Sequence, residues 1–207
     1  MQSCINSPCY NLARHLHRLL IPLIDTFEMN VKNSSSLVNK LSSVILPAGY
    51  ILVSLDVVSL FTMIPKDLVM EIISVKWDDF KELLELPKEV ILKMISICFD
   101  TSYFTFKKEV YLQLDGTSMG NPASPSLANI VMYYVWTNVI SSLPFAVPPL
   151  YLYVDDTLLA VPENEKDNLL LYFNRFHANI QFTLECEKAG QIPFLDMVVM
   201  RTEDGRI

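Results

Sequence analysis

Apolar residues recur at helical spacing over residues 11–27, where Leu12, Leu16, Leu19, Leu20, Leu23 and Ile24 fall on one face. The run Asn33-Ser34-Ser35-Ser36 predicts an N-cap for a second helix over 37–45, and Pro47-Ala48-Gly49 a turn. Residues 50–58 are apolar and β-branched, interrupted only by Ser54 and Asp56, and read as a buried strand. Helices follow over 67–75 and 87–99, the second opening at Pro87. Residues 103–112 read as a hairpin turning at Lys107-Lys108-Glu109, 116–125 as a loop, and 126–140 as an apolar helix. Residues 150–161 predict another hairpin, 165–179 a helix, and 180–187 and 193–201 two further strands. Strands and helices mix without regular βαβ alternation, so the expected class is α+β.

The second hairpin carries the chain's most informative pair. In Tyr151-Leu152-Tyr153-Val154-Asp155-Asp156-Thr157-Leu158 two carboxylates interrupt apolar, β-favouring runs. Neighbouring strand residues point to opposite faces, and an unpaired buried carboxylate costs several kcal/mol (~2–7 for a polar group, more for a charge). The pair therefore predicts a turn at Asp155-Asp156. Asp-Asp is a good turn pair in its own right, and a rigid acidic tip also suits a divalent cation, so both readings stand at this point. Asp56 is a third carboxylate, mid-strand, with no basic residue between Lys40 and Lys66 to answer it. On a solvated strand face it is an ordinary surface charge; read as buried, it requires a partner. Asp56 with Asp155 and Asp156 would form an oxygen-only set suited to Mg²⁺.

Composition constrains the picture. The 207 residues are 51% hydrophobic with only 5 glycines, which argues for a packed interior. A net charge of −7 is unlike the basic surface usual in nucleic-acid proteins. Cys4, Cys9, Cys98 and Cys186 lack a metal-ligand rhythm, and Cys4 and Cys9 with His15 and His17 match no usual zinc spacing. A reduced, intracellular compartment follows. The stretch 127–143 approaches bilayer length, but Asn129, Thr137, Asn138, Ser141 and Ser142 interrupt it, so it reads as a buried helix and no membrane partner is expected.

Three ordered segments resemble reverse transcriptases. Tyr153-Val154-Asp155-Asp156 is similar to that family's Tyr/Phe-x-Asp-Asp box, and Ser54-Leu55-Asp56-Val57-Val58-Ser59-Leu60-Phe61-Thr62 to its motif A. Gly116-Thr117-Ser118-Met119-Gly120-Asn121-Pro122-Ala123-Ser124-Pro125 with Leu127-Ala128, preceded by Gln113, resembles motif B. The motif A segment, Gln181-Phe182-Thr183-Leu184-Glu185, Pro193-Phe194-Leu195-Asp196 and the upstream Asn-Ser-Ser are similar to Penelope-like retroelements. The resemblance spans about residues 10–201.

It implies a right-hand polymerase palm, an antiparallel sheet backed by helices, with partial fingers and connecting helices over 1–49 and the palm, motifs A to E, over 50–207. The implied activity is RNA-directed DNA polymerisation, with an RNA template, a DNA primer and dNTPs as partners and Mg²⁺, or alternatively Mn²⁺, as cofactor. Asp56, Asp155 and Asp156 are then catalytic, and together with Val57 they form the metal set. Phe61 would exclude a ribose 2′-hydroxyl, and Gln113, Gly120 and Pro122 would shape the nucleotide and template site. Phe194, Leu195 and Asp196 would grip the primer, and Lys188 is a candidate general acid for the leaving pyrophosphate. Plainer readings are core packing for Phe61, solvated side chains for Gln113 and Lys188, an ordinary turn at Gly120–Pro122 and a structural hairpin at residues 193–196. Met63 and Gln181 stand where family members commonly have Asn and Lys. The basic fingers residues, a thumb and a Gly-Ile-Tyr endonuclease signature are not in the sequence, so a fragment, inactive by itself and nuclear within the full element protein, is expected. The alternative is a truncated, non-catalytic remnant acting as a nucleic-acid-binding module.

Overall fold

The computed structural model describes residues 9–148 and 150–207, and only the backbone of Thr105 and Leu150. Cys4 lies outside these residues. In chain order the elements are α1 (Tyr10–Ile24), α2 (Ser34–Leu41), β1 (Tyr50–Val57), α3 (Leu60–Met63), α4 (Lys66–Val75), α5 (Trp77–Phe80), α6 (Lys88–Asp100), β2 (Tyr103–Phe106), β3 (Glu109–Leu112), α7 (Ser124–Ser142), β4 (Leu150–Tyr153), β5 (Asp156–Pro162), α8 (Lys166–Phe176), β6 (Phe182–Cys186), β7 (Gln191–Phe194) and β8 (Met197–Met200). The expected α+β class, an antiparallel sheet backed by helices, is what forms. No described helix is long and apolar enough to cross a membrane.

The chain forms two compact units. The first runs up to Phe27 and resumes over Ser59–Tyr134; the second comprises Glu28–Val58 and Val135–Ile207. In the first, α6 packs against both α1 and α4. Leu16, Leu20 and Leu23 of α1, Ile91 and Ile95 of α6, and Ile72 and Ile73 of α4 are fully buried. The hairpin β2–β3 belongs to this unit; its turn is Lys107-Lys108 alone, and Glu109 already pairs with Phe106.

The second unit is built on the antiparallel sheet β4-β5-β1-β6. Its registers, Val53↔Leu159, Ile51↔Val161 and Val57↔Phe182, gather apolar residues on one face. There Phe173 of α8 meets Trp136 (ring centroids 4.2 Å apart) and Phe182 (4.9 Å). Gln181 Nε2 donates to the carbonyls of Asn174 (3.1 Å) and His177 (3.0 Å), closing the end of α8. On the other face, Leu52, Leu158 and Ala160 join Leu37 and Leu41 of α2 with Ile192, Phe194 and Val199 of the β7–β8 hairpin.

Two expectations shift for identifiable reasons. Helix α2 starts three residues before 37, because Asn33 and Ser36 form a capping box: Ser36 N–H donates to Asn33 Oδ1 (2.9 Å) and Asn33 N–H to Ser36 Oγ (3.3 Å). The serines are thus its first turn rather than its approach. The strand expected over 193–201 is broken into a hairpin, β7–β8, paired Ile192↔Val199 and Phe194↔Met197, with its turn at Leu195-Asp196 inside the Pro193–Asp196 segment that the resemblance implied as a hairpin. Its inward residues change from even to odd numbers between Phe194 and Val199, which an unbroken strand cannot do.

Candidate active site

The register of the sheet assembles the carboxylates. Strand β1 pairs with β5 through Ser54↔Leu158 and Leu55↔Thr157. One rung further, the same register sets Asp56 opposite Asp156. Thr183 of β6 is the other neighbour of Asp56, and Tyr153 of β4 faces Asp156. A row Tyr153–Asp156–Asp56–Thr183 therefore crosses the sheet, with directly opposed Cβ atoms about 4.5–5.5 Å apart. The turn is not at Asp155-Asp156 as expected. Tyr153 pairs with Asp156, so the two turn residues are Val154 and Asp155, and Asp156 is the first residue of β5. Val154 has φ +58°, the sign that the first central residue of a type II′ hairpin requires. The register of β4 is pinned from outside by Val31 N–H donating to Leu152 O (2.9 Å) and Leu152 N–H to Met29 O (2.9 Å).

Asp56 is exposed, as on a solvated strand face and not as a buried charge, because Ser54, Asp56 and Val58 lie beyond the edge of the apolar cluster that covers Leu52. Partial desolvation first, and the charge of Asp155 second, still raise its carboxyl above the ordinary aspartate range, against the lowering effect of the Val57 N–H. Asp156 is raised in the same way, by desolvation, then Asp155, then Asp56. Among the described residues no Lys or Arg forms an ion pair with any of the three. Neighbouring carboxylates thus disfavour ionisation of Asp56 and Asp156, and among the described residues no ion-paired cation relieves them.

Two concavities meet at this row. One, of about 350 Å³, is lined by Ser54, Asp56, Asp156, Thr183, Glu185 and the turn of β7–β8 through Phe194 and Leu195. The other, of about 380 Å³, is lined by Asn33, Ser34, Tyr153, Asp156, Leu195 and Asp196. Asp156 and Leu195 form the shared wall. Leu195, at φ +55°, repeats the Val154 arrangement: an apolar residue in the left-handed region followed by an aspartate. Ser34 Oγ donates to Asp196 Oδ1 and ties that turn to the first turn of α2.

Among the described residues no group of three or more His, Cys, Asp or Glu side chains is placed to hold a metal ion unaided. The donor chemistry nevertheless fits Mg²⁺, which is usually held by one or two carboxylates plus substrate phosphates rather than by an all-protein cage. The mutual repulsion of unpaired carboxylates fits the same ion. Val57 is 3% exposed with an apolar side chain, so only its backbone carbonyl could serve as a ligand.

The other expected residues divide between the units. Phe194, Leu195 and Asp196 join the carboxylates in the second. Lys188 does not. It is exposed in the turn after β6, five residues beyond Thr183, roughly 16 Å along the strand direction at ~3.3 Å per residue. Phe61, Gln113, Gly120 and Pro122 all belong to the first unit. There Phe61 is half-buried in α3, and its carbonyl accepts from Thr117 N–H (2.6 Å) and Thr117 Oγ1 (3.2 Å). Gln113 turns inward on its own loop, donating to Asp115 O (2.8 Å). Asn121, between Gly120 and Pro122, is buried and accepts from Ala123 N–H (2.9 Å). Gly116 is the loop glycine with a positive φ, +69°. Sequence reasoning singled out neither Gly116 nor the groove residues Ser54, Thr183 and Glu185. The alternation of β1 and β6 around Asp56 held the signal for the last three.

No protein-family model matches the chain, and no curated protein matches it. Solved structures do. The fold is similar to telomerase from Candida albicans in complex with a fragment of telomeric RNA, with TM-score 0.65 and 14% identity, over 99% of this chain and 39% of that one. It is similar to apo telomerase from Candida tropicalis truncated from its C-terminal domain, with TM-score 0.66 and 11% identity, over 91% and 43%. The RNA-dependent RNA polymerase of a human picobirnavirus gives TM-score 0.65 and 14% identity, over 93% and 39%. The fold is of the polymerase palm class. The chain spans about two fifths of the length of each of these polymerases, and identities this low speak for the fold alone.

Proposed function

We propose that the chain is the palm of an RNA-directed DNA polymerase, the reverse transcriptase of a Penelope-like retroelement, transferring nucleotides from dNTPs to a primer 3′-hydroxyl. The observation that carries this reading is the register that sets Asp56 opposite Asp156, with Asp155 in the adjoining turn, on a groove walled by the β7–β8 turn. Asp56 and Asp155 would hold Mg²⁺ or Mn²⁺, with Asp156 beside them, the Val57 carbonyl as a further ligand and substrate phosphates completing the shell. A bound ion supplies charge neutralisation at the triphosphate and a lower pKa at the attacking hydroxyl. The chain's own residues position and select. Phe194, Leu195 and Asp196 support the primer end, with Asp196 held by Ser34. By the reverse-transcriptase resemblance, the Phe61 ring would exclude a 2′-hydroxyl, and Gln113, Gly120 and Pro122 would contact nucleotide and template. Lys188, at the far end of β6, is given no part in proton transfer. The RNA template and DNA primer are met in the nucleus, within the full element protein.

The test is primer extension on RNA with dNTPs and Mg²⁺, by the chain alone and by the chain within its flanking reading frame. The longer form is expected to extend and the chain alone to be inactive. Asp155→Ala should abolish extension; full activity in that variant would sink the assignment of the carboxylates, and robust extension by the 207 residues alone would overturn the need for further parts. A non-catalytic nucleic-acid-binding module is the second reading, favoured by the lack of an unaided three-ligand group among the described residues. Wild-type protein in its full frame that binds primer–template without extending it selects that reading.

A further inference from the structure

The β2–β3 hairpin of the first unit is open to solvent along its whole second strand: every residue of β3 is exposed. Its pairing, Phe104↔Tyr111 and Phe106↔Glu109, puts Phe104, Phe106 and Tyr111 on one face. The Phe104 and Tyr111 rings stack with centroids 5.5 Å apart, and Phe106 stands 6.5 Å from Tyr111. These rings are not spent on a core, since Phe106 is 57% and Tyr111 40% exposed. Lys107 Nζ lies 5.4 Å from the Phe106 ring centroid.

The turn sharpens the point. Lys107 and Lys108 have φ +49° and +69°. Two positive values are the mark of a type I′ turn, whose favoured residues are Asn and Gly because a Cβ is disfavoured there. Lysine at both positions makes a poorer turn, and residues held in such conformations cluster where function requires them. Neither lysine has a carboxylate partner among the described residues, whereas Lys66, Lys76 and Lys81 each do. The nearby Glu109 is engaged by the Tyr111 hydroxyl, which donates to Oε2 (2.7 Å). In a chain of net charge −7, two unanswered cations thus sit at the tip of an exposed aromatic ladder. The opposite face, the positions of Tyr103, Thr105, Val110 and Leu112, carries no charged residue. Lys107 lies with the rings, and this favours a nucleic acid over a protein as occupant.

We propose that this hairpin is a contact surface for single-stranded nucleic acid, Lys107 and Lys108 meeting phosphates while Phe106 and Tyr111 stack on bases. Cations along a backbone with aromatic platforms for successive bases are the sequence-tolerant way to hold a single strand. The proposal rests on the polymerase reading only for why such a strand would be present.

The test is fluorescence anisotropy of a labelled single-stranded RNA, and of the DNA of the same sequence, with the full 207-residue chain in Mg²⁺-free buffer across a salt series. K107N/K108G installs the residues this turn prefers, so it should raise the melting temperature while weakening binding at least tenfold. The same variant should lower the slope of log affinity against log salt by about 1.4, two phosphates at ~0.7 each. Phe106→Ala should weaken binding roughly fivefold or more with the slope unchanged. Binding of either sugar through the two lysines supports the surface, and the RNA-to-DNA ratio identifies the strand. This assay contains no dNTP and no Mg²⁺, so it reads binding by the hairpin apart from nucleotide transfer. Failure of primer extension with hairpin-dependent binding intact therefore removes the polymerase reading alone. The proposal is overturned if the wild-type chain binds no single strand at low salt, or if K107N/K108G leaves affinity and slope unchanged. It is equally overturned if sedimentation shows self-association through the hairpin that Val110→Lys abolishes, which would make the surface a contact between copies.

Discussion

Gly116→Ala tests the join between the motif A tail and the motif B loop. Gly116 is buried at φ +69°, and a Cβ added there would overlap the carbonyl carbon and oxygen of Thr62 and stand 2.5 Å from its Cα. The obstacle is backbone, so no side-chain rotation relieves it. Restoring ordinary contact requires a shift of about 1 Å, at the point where Thr117 N–H and Oγ1 hold the Phe61 carbonyl. Alanine in the left-handed region costs roughly 1–2 kcal/mol. Loosening two hydrogen bonds, one of them short, costs about 1 kcal/mol each. The total is about 3–4 kcal/mol, a large part of a typical domain stability of ~5–15 kcal/mol. At about 2–4 °C per kcal/mol for a chain of this size, the melting temperature should fall by roughly 10 °C. Gly49 supplies the internal control, with φ +80° and nothing within 4 Å of the position an added methyl would take. Gly49→Ala should therefore carry the conformational cost alone, about 1–2 kcal/mol, or roughly 4 °C. Thermal denaturation of the two variants isolates the steric contribution as their difference. Equal shifts would refute the clasp.

Three further outcomes are expected. Asp156→Asn should stabilise the protein by up to about 1 kcal/mol in divalent-free buffer, because it removes like charges from opposed rungs. Since the folded state holds the Asp156 proton more tightly than the unfolded state, wild-type stability relative to the variant should rise as pH falls through the raised folded value toward the ordinary one; an unchanged or lower melting temperature for the variant counts against the opposed pair. Glu187, whose side chain is 6% exposed, accepts from Arg201 Nε (3.1 Å) and Leu52 N–H (2.9 Å), and these outweigh its burial to hold its carboxyl low. Glu187→Ala should cost about 3 kcal/mol by urea denaturation, because it strands a partly buried guanidinium; the contribution is present above the unfolded carboxyl value and fades as pH falls through the depressed folded one, and a cost under 1 kcal/mol at neutral pH would show the pair to be idle. In a polymerising form, Phe61→Ala should admit ribonucleotides, read as the NTP-to-dNTP incorporation ratio, and unchanged discrimination removes the gate role.

The sequence located the Asp-Asp hairpin but not its turn, and the reason is geometric. Moving a two-residue turn by one position changes every pairing by two residues and leaves each side chain on its original face. Residues 151 and 153 share a face with 156 and 158 in either arrangement, so the hydrophobic pattern is silent about the choice. Local propensity then favours Asp155-Asp156 over Val154-Asp155, and tertiary hydrogen bonds from Met29 and Val31 to Leu152 override it. The β7–β8 hairpin is the opposite case. The resemblance implied a hairpin at Pro193–Asp196, whereas the residue pattern, with no turn propensity at Leu195, read as one strand over 193–201. Gly116 was unreadable in a different way, since its constraint comes from Thr62, more than fifty positions distant in the chain.

The same geometry bears on whether the acidic tip is structural or functional. A hairpin selected for stability alone would place Asn-Gly or Gly-Xaa at the turn and would not oppose two carboxylates on adjacent strands. Here a β-branched residue sits at φ +58°, and Asp56 and Asp156 are both raised by desolvation and then by neighbouring charge, with no ion-paired cation among the described residues in reply. Both features cost stability, and both follow from one placement. Holding Asp155 within one residue of a strand position opposite Asp56 demands a two-residue loop, and that loop puts Val154 where its Cβ is disfavoured. A longer loop would relax Val154 and carry Asp155 away; an asparagine at 156 would relax the charges and lose the third carboxylate. The strain at Val154 and the charge on the opposed rungs thus come from one placement, Asp156 opposite Asp56 with Asp155 in the adjoining turn, and that placement is what the proposed metal role would require.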